Sequence, residues 1–206
     1  MKLGWKKFSI TFACLIAVLP IEAAFGQVNF RPDVVTHLKP DIGGYWGNWT
    51  IVKYCPQGSW ASGFGQRVEP QQGDGDDTAL NSVALICTNK DGVQLGEDVT
   101  PHRGYWGNWS YRWCPPRTHM THFKLKYESV RTPADNTTAN AVSFWCSNGM
   151  EIRARNEGVW GIWSSWTGYD ISTNRAICGL SQRMSSMQGR ADDTAMNNIE
   201  IYWCDR

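Results

Sequence analysis

Short alternations of apolar and polar residues dominate the chain beyond its N-terminal region. The clearest are ALNSVALIC (79–87), TANAVSFWC (138–146) and AMNNIEIYWC (195–204), which are rich in β-branched and aromatic residues. Shorter alternations, GFGQRVE (63–69) and HFKLKYE (122–128), precede two of them, and Gly, Asn, Asp and Pro separate the segments. Because no stretch beyond the N-terminal region has a helical period, the pattern predicts an all-β fold of short strands.

The strand pattern recurs three times together with two motifs. The Trp motif is WGNW at 46–49, WGNW at 106–109 and WGIW at 160–163, and the acidic motif is DDTALN at 76–81, DNTTAN at 135–140 and DDTAMN at 192–197. A hydrophobic residue lies twelve positions before each acidic motif: Phe64, Phe123 and Leu180. This spacing predicts three internal repeats, at about residues 41–100, 101–156 and 157–206.

A β unit of this size cannot bury one face of its sheet alone. We therefore predict three small antiparallel sheets around a common axis, each supplying one side of a shared core. Such an arrangement is a β-prism of three antiparallel sheets with a pseudo-threefold internal repeat. A closed trefoil barrel is also threefold, but its repeats are usually shorter and lack this pair of motifs.

The N-terminus has the features of a secretory signal peptide. Lysines precede an apolar run from Phe8 to Leu19, and Ala24-Phe25-Gly26 supplies the small residues of a cleavage site. The apolar run is too short to span a bilayer comfortably. We predict a signal peptide over residues 1–26 and a single secreted, extracellular domain over residues 27–206, without membrane insertion.

Charge and cysteine content narrow the function classes. Lys and Arg number 20 against 19 Asp and Glu, so no basic surface is expected to attract nucleic acid. Behind the signal peptide the cysteine count is even and no CxxC pair occurs, which favours disulfides over a metal site. The repeat predicts Cys55–Cys87 and Cys114–Cys146, and a third bond, Cys178–Cys204, on different spacing. No metal or cofactor is expected.

With both motifs repeated three times in register, the chain resembles the vitelline membrane outer layer protein I family. The resemblance extends from about Asp41 to the C-terminus. It implies a β-prism, secretion, and a place in the outer layer of an egg envelope or in another extracellular secretion, but it brings no agreed catalytic residues. The chain departs from the repeated pattern at Asn136, Thr138 and Ile162.

The acidic motif has two interpretations. Asp76, Asp77, Asp192 and Asp193 form carboxylate pairs, which could bind a sugar or act in glycoside hydrolysis. The same residue types are typical of a turn in which the Asp side chain accepts from the amide two residues on. A catalytic pair would occur once, whereas this motif occurs at three equivalent strand entries, so the structural interpretation is favoured.

The tryptophans also have a functional and a structural interpretation. Trp46, Trp106 and Trp160 open the Trp motifs and could stack on sugar rings, or they could pack at a structural corner that every copy needs. Strict alternation places Trp46 and Trp49 on opposite faces unless Gly47 forms a bulge. Five tryptophans without threefold counterparts are better candidates for a surface particular to this protein: Trp60, Trp113, Trp145, Trp166 and Trp203.

Three N-glycosylation sequons begin at Asn48, Asn108 and Asn136. A Trp at the middle position makes a poor acceptor, and this applies to the first two. Asn136 lies in a predicted turn and is the best candidate.

Three hypotheses on function remain. The favoured one is a non-enzymatic structural protein of an extracellular coat, a monomer that packs against coat glycoproteins or glycans. The alternative is a carbohydrate-binding module that uses its tryptophans. A sugar-acting enzyme that uses the Asp pairs is the least favoured.

Overall fold

The structure is a computed structural model that describes residues 30–40, 44–72, 77–129, 137–186 and 195–206. The predicted signal peptide lies outside the described residues. Regular structure in these segments is β, apart from a 3₁₀ turn over Ile171–Thr173. None of their helices is long and apolar enough to cross a membrane.

The described residues form thirteen strands, most of them short. In chain order they are β1 (Val34–Leu38), β2 (Asn48–Trp49), β3 (Lys53–Tyr54), β4 (Trp60–Val68), β5 (Leu80–Thr88), β6 (Asn108–Trp113), β7 (Met120–Tyr127), β8 (Ala139–Cys146), β9 (Glu151–Arg153), β10 (Ile162–Trp163), β11 (Thr167–Gly168), β12 (Arg175–Met184) and β13 (Met196–Asp205).

These strands form three antiparallel sheets. The first sheet has the order β5–β4–β6. The second has the order β10–β7–β8–β9, with β11 also pairing with β7, and the third has the order β1–β13–β12–β2, with β3 also pairing with β12. Each sheet is built on one long hairpin, β4–β5, β7–β8 or β12–β13. The predicted all-β prism of three antiparallel sheets is confirmed.

The hairpins bury alternate side chains against one another in a shared core. The residues that precede the acidic motifs at fixed spacing, Phe64, Phe123 and Leu180, are all fully buried. The rings of Phe64 in the first sheet and Phe144 in the second lie 4.8 Å apart, centroid to centroid. The apolar positions of the alternating sequence pattern therefore lie on the inward faces of the hairpins.

The sheets do not coincide with the sequence repeats. The strand of each Trp motif pairs with the hairpin of another copy: Trp109 lies opposite Arg67, Trp163 opposite Lys126, and Trp49 opposite Arg183. The second copy thus completes the sheet of the first, the third completes that of the second, and the first completes that of the third. This exchange of strands joins the three copies into a closed ring.

The third sheet differs from the others at its disulfide. The structure joins Cys55 to Cys87 and Cys114 to Cys146, which have the spacing of the repeat, and Cys178 to Cys204, which departs from it. In the first two sheets, the cysteine six residues after the motif Asn belongs to the central core. In the third sheet that position is Trp203, and Cys178 and Cys204 form a separate cluster with Tyr202.

Trp203 is consequently a core residue, and its prediction as surface is wrong. It shares a face of β13 with Ile199 and Ile201, and all three are fully buried. Its indole Nε1 donates to the carbonyl of Thr121 in the second sheet at 2.7 Å. The side chain therefore fills space that a disulfide occupies in the other copies, and it links two sheets.

Candidate functional site

The glycine of each Trp motif makes a sharp corner against another hairpin. Gly47, Gly107 and Gly161 have φ of +74°, +84° and +83°. A Cβ atom at these positions would lie 2.0–2.2 Å from the carbonyl oxygen of Met184, Val68 or Tyr127, respectively. Only glycine fits this close backbone approach, so the glycine is required by packing.

The corner breaks the alternation of the strand. Trp46 is 42% exposed and Trp49 is 37% exposed, so neither side chain enters the core. Alternation across a regular strand would have turned one of them inward. The left-handed conformation of Gly47 between them accounts for the difference.

The asparagine of each acidic motif holds the Trp motif of the next copy. Asn81, Asn140 and Asn197 are fully buried. The Asn81 side-chain oxygen accepts from the amide of Trp106 at 3.0 Å, and the backbone carbonyls of Asn140 and Asn197 accept from the amides of Gly158 and Gly44, two residues before the Trp motif. In each copy the acidic motif therefore contacts the segment that opens the next Trp motif, through a side chain at Asn81 and through the backbone at the other two asparagines.

We expect Asn81→Ala to lower the free energy of unfolding by about 2–3 kcal/mol. The Asn81 side chain also donates to Thr78 Oγ1 at 2.6 Å, so the substitution leaves buried polar groups without a partner on both sides. The measurement is urea denaturation of unglycosylated protein. Asn108→Ala, at an exposed position, is the control, and equal losses for the two variants would contradict this role.

One carboxylate of the acidic motifs falls within the described residues. Asp77 is 4% exposed, and its Oδ1 accepts from the amide of Gln72 at 2.6 Å. The neighbouring Thr78 donates to Glu69 Oε2. Asp76, Asp192 and Asp193 lie outside the described residues, and within them no group of His, Cys, Asp and Glu side chains is arranged to hold a metal ion.

The three first tryptophans of the Trp motifs belong to different sheets. Trp46, Trp106 and Trp160 precede β2, β6 and β10 and are exposed or half-buried. They are therefore distributed around the prism and do not form one cleft. The sequon residues Asn48 and Asn108 are exposed at the same corners, while Asn136 lies outside the described residues.

The second sheet carries a cluster of tryptophans and cations on its outer face. Lys124 Nζ lies 4.4 Å from the ring centroid of Trp166 and 4.9 Å from that of Trp163, and it pairs with Glu151 at 2.9 Å. Arg153 lies over Trp163 at 4.7 Å. These rings already have cations of the same chain on them, which stabilises the cluster.

The first sheet carries a different aromatic feature, a row of three rings along β6. The ring centroids of Trp109 and Tyr111 are 5.8 Å apart at 21° between planes, and those of Tyr111 and Trp113 are 6.1 Å apart at 27°. Trp113 is 56% exposed. Sequence reasoning selected Trp113 but missed Trp109 and Tyr111 as its companions. The alternation in NWSYRWC, which puts every second side chain on one face, is the signal that could have found them.

A cavity lies at the Trp113 end of this row. Its volume is about 240 Å³, and its lining includes Trp113, Thr88, Asp91 and Arg117. Thr88 Oγ1 lies 3.3 Å from Nε2 of the buried His119. The pKa of His119 is lowered by burial first and by the positive charge of Arg206 second, so the neutral imidazole is favoured in the fold.

This histidine should make the fold sensitive to acid. Because its pKa is lower folded than unfolded, its contribution is complete above about pH 6.5 and is lost as the pH falls towards the folded pKa. We expect His119→Gln to reduce the loss of stability between neutral and mildly acidic pH, as followed by urea denaturation. The comparison at pH 8, where both side chains are neutral, is the control. An unchanged pH dependence in the variant would contradict the assignment.

Known proteins share this sequence pattern and this fold. The profile of the vitelline membrane outer layer protein I family matches residues 36–206. The chain belongs to this family. It is 38% identical over 192 residues to the mouse (Mus musculus) vitelline membrane outer layer protein 1 homolog, covering 92% of this chain and 94% of that protein. It is 38% identical over 180 residues to the human (Homo sapiens) homolog, covering 86% and 87%.

Several solved structures with a similar fold are lectins. An artocarpin–mannotriose complex superposes with a TM-score of 0.51 at 12% identity, covering 82% of this chain and 96% of that chain. A mannose-binding lectin from Champedak gives 0.52 at 11% identity, covering 82% and 96%. A prostate-specific WGA16 glycoprotein lectin gives 0.51 at 13%, covering 80% and 99%. At these identities the likeness is one of fold alone, between a vitelline membrane outer layer protein I family member and β-prism lectins.

Proposed function

We propose that the chain is a secreted, non-enzymatic structural protein of an extracellular coat that binds carbohydrate. The observation that carries this is the placement of the tryptophans. Of the eleven within the described residues, only Trp203 is fully buried, and the other ten are exposed or half-buried on a disulfide-bonded prism. Aromatic side chains at the surface suit stacking on the apolar faces of sugar rings.

The comparisons support the same proposal. Family membership favours a vitelline-membrane or carbohydrate-binding role, and several lectins share the fold. Family and fold are those of structural or lectin-like proteins. The coat protein would use a subset of these surface tryptophans on glycans or glycoproteins of the coat.

Purified protein from a secretory cell line tests this proposal. We expect an N-terminus at Gln27 in the medium, binding on a glycan array or to insoluble polysaccharide, and no hydrolysis of chito-oligosaccharides. Retention in the cells would overturn secretion, and absence of binding to any glycan would overturn the carbohydrate role. Hydrolysis that Asp76→Asn and Asp77→Asn abolish would instead favour the enzyme.

A further inference from the structure

We propose that the outer face of the first sheet is the binding site for a linear glycan chain. Trp109, Tyr111 and Trp113 would stack on successive sugar rings, and the adjoining cavity would take the sugar at the end of the chain. The assignment rests on the proposed carbohydrate function, and it adds the surface used and the class of glycan.

Glycines on the neighbouring strand allow the rings to lie across the sheet. Gly65 lies opposite Tyr111 and Gly63 opposite Trp113 in the pairing of β4 with β6. A Cβ atom at Gly65 would lie 2.5–3.1 Å from three ring atoms of Tyr111, and one at Gly63 would lie 2.8 Å from Trp113 Cδ1. Because these strand positions lack side chains, the aromatic rings cover the backbone instead of standing away from it.

Tyr111 extends across the sheet towards the far edge. Its pKa is raised by burial and by the negative charge of Asp98, which follows the opposite strand, β5. The Asp98 carboxylate in turn pairs with Arg103 at 2.9 Å. The middle ring of the row is half-buried and packs against the backbone at Gly65, and a rigid aromatic surface loses little entropy when it binds a ligand.

The cavity supplies the polar groups that a flat aromatic row lacks. Its lining combines the indole of Trp113 with the carboxylate of Asp91, the guanidinium of Arg117 and the hydroxyl of Thr88. Its 240 Å³ is smaller than the roughly 300–1,000 Å³ of pockets for drug-sized ligands. An aromatic face beside hydrogen-bond donors and acceptors matches a single sugar ring, which has apolar faces and a rim of hydroxyl groups.

The loop that presents Asp91 is fixed by local hydrogen bonds. Asn89 Oδ1 accepts from the amides of Asp91 and Val93 at 3.0 and 2.9 Å. On the opposite side, Cys114 lines the cavity and is tied to Cys146. Both walls are thus positioned before a ligand arrives.

The regular row matches a linear glycan. Its three near-parallel rings, at intervals of about 6 Å, repeat at the scale of a pyranose ring, and each offers a flat face on which a sugar ring stacks, whereas an acyl chain has no flat unit to stack. Neither of the other two sheets carries three near-parallel rings in a row within the described residues. Lys124 and Arg153 lie on the tryptophans of the second sheet, and in the third sheet Tyr54 meets the buried Tyr202 edge-on, at 84° between ring planes.

Calorimetric titration with chito-oligosaccharides and manno-oligosaccharides, from disaccharide to hexasaccharide, tests the assignment. We expect the affinity for one series to rise with chain length until the row is covered. Trp113→Ala should weaken binding of that hexasaccharide about tenfold, and Trp109→Ala should weaken the hexasaccharide more than the disaccharide. Asp91→Ala should weaken all lengths alike. The matched control is Trp46→Ala, an exposed tryptophan on the third sheet, which should bind like the wild type.

The outcomes separate this site from the function on which it rests. If the wild type binds no glycan of either series or on an array, both fail. If it binds but the row variants bind equally well, or Trp46→Ala binds more weakly than they do, only the site fails. Should Trp113→Ala not fold, the indole N–H resonance of Trp113, assigned with Trp113→Phe, is read instead. A shift upon addition of hexasaccharide supports the site, and an unmoved resonance beside measured binding overturns it.

Discussion

Replacement of Gly107 by alanine is expected to lower the free energy of unfolding by more than about 4 kcal/mol. Two costs add. The backbone at φ of +84° is left-handed, which disfavours a residue with a Cβ by about 1–2 kcal/mol. The added Cβ would also lie 2.2 Å from both the carbonyl carbon and the carbonyl oxygen of Val68. Those are backbone atoms within the pairing of β4 with β6, so the clash can be relieved only by separating the strands.

Gly149→Ala is the control that separates the cost of the clash from the cost of the left-handed backbone. Gly149 has the same φ of +84°, but an added Cβ would meet no atom within 4 Å. We expect this control to cost only about 1–2 kcal/mol, the price of the backbone conformation alone. Guanidinium denaturation monitored by tryptophan fluorescence provides both values. Similar losses for the two variants would show that the Trp-motif corner tolerates movement and that the close approach is not what requires glycine.

The corner also explains why the Trp motif is repeated. Gly107 contacts the backbone of the preceding copy, and Asn81 of that copy binds the amide of Trp106. Equivalent contacts place Gly161 against Tyr127 and Gly47 against Met184. A substitution at one corner therefore opens one of three seams in a closed ring, and its effect should extend to the whole cooperative unit.

The strands and the core could be predicted from the sequence because alternation reports directly which side chains face inward. The partners of the strands could not. The three Trp motifs are nearly identical, so the motif alone does not indicate which of the three hairpins a strand such as Asn108–Trp113 joins. Local pattern cannot distinguish these pairings, and the path of the connecting segments decides between them.

The candidate site was found only in part for a similar reason. The exposed Trp113 could be selected from the lack of a threefold counterpart. The position of the Tyr111 ring depends on Gly65, which lies opposite it on the neighbouring strand β4. The cavity depends on Asp91 and Arg117, which come together near the end of β6. Contacts between segments that are distant in the sequence leave no periodic pattern along the chain, so the sequence alone does not predict them.

Trp203→Ala is expected to lower the free energy of unfolding by about 4 kcal/mol. The side chain is fully buried and lies 6.0 Å from Phe123 and 5.5 Å from Tyr169, centroid to centroid. Its loss would leave a large cavity between the second and third sheets, and the carbonyl of Thr121 would lose its donor. Trp203→Phe retains most of the volume but not the donor, and should cost about 1–3 kcal/mol. Thermal and urea denaturation provide both values.

Trp113→Ala is the matched control, because it removes the same side chain from a position that is 56% exposed. We expect it to change the free energy of unfolding by less than about 1 kcal/mol while weakening glycan binding. Trp203→Ala, studied at low temperature where it remains folded, should bind glycan like the wild type. The two variants would then affect different properties. Trp203 fills the core at the position that a disulfide has in the other copies, so its loss lowers stability, whereas Trp113 lies on the outer face, so its loss lowers glycan affinity. A small stability loss for Trp203→Ala, or a large one for Trp113→Ala, would contradict this division.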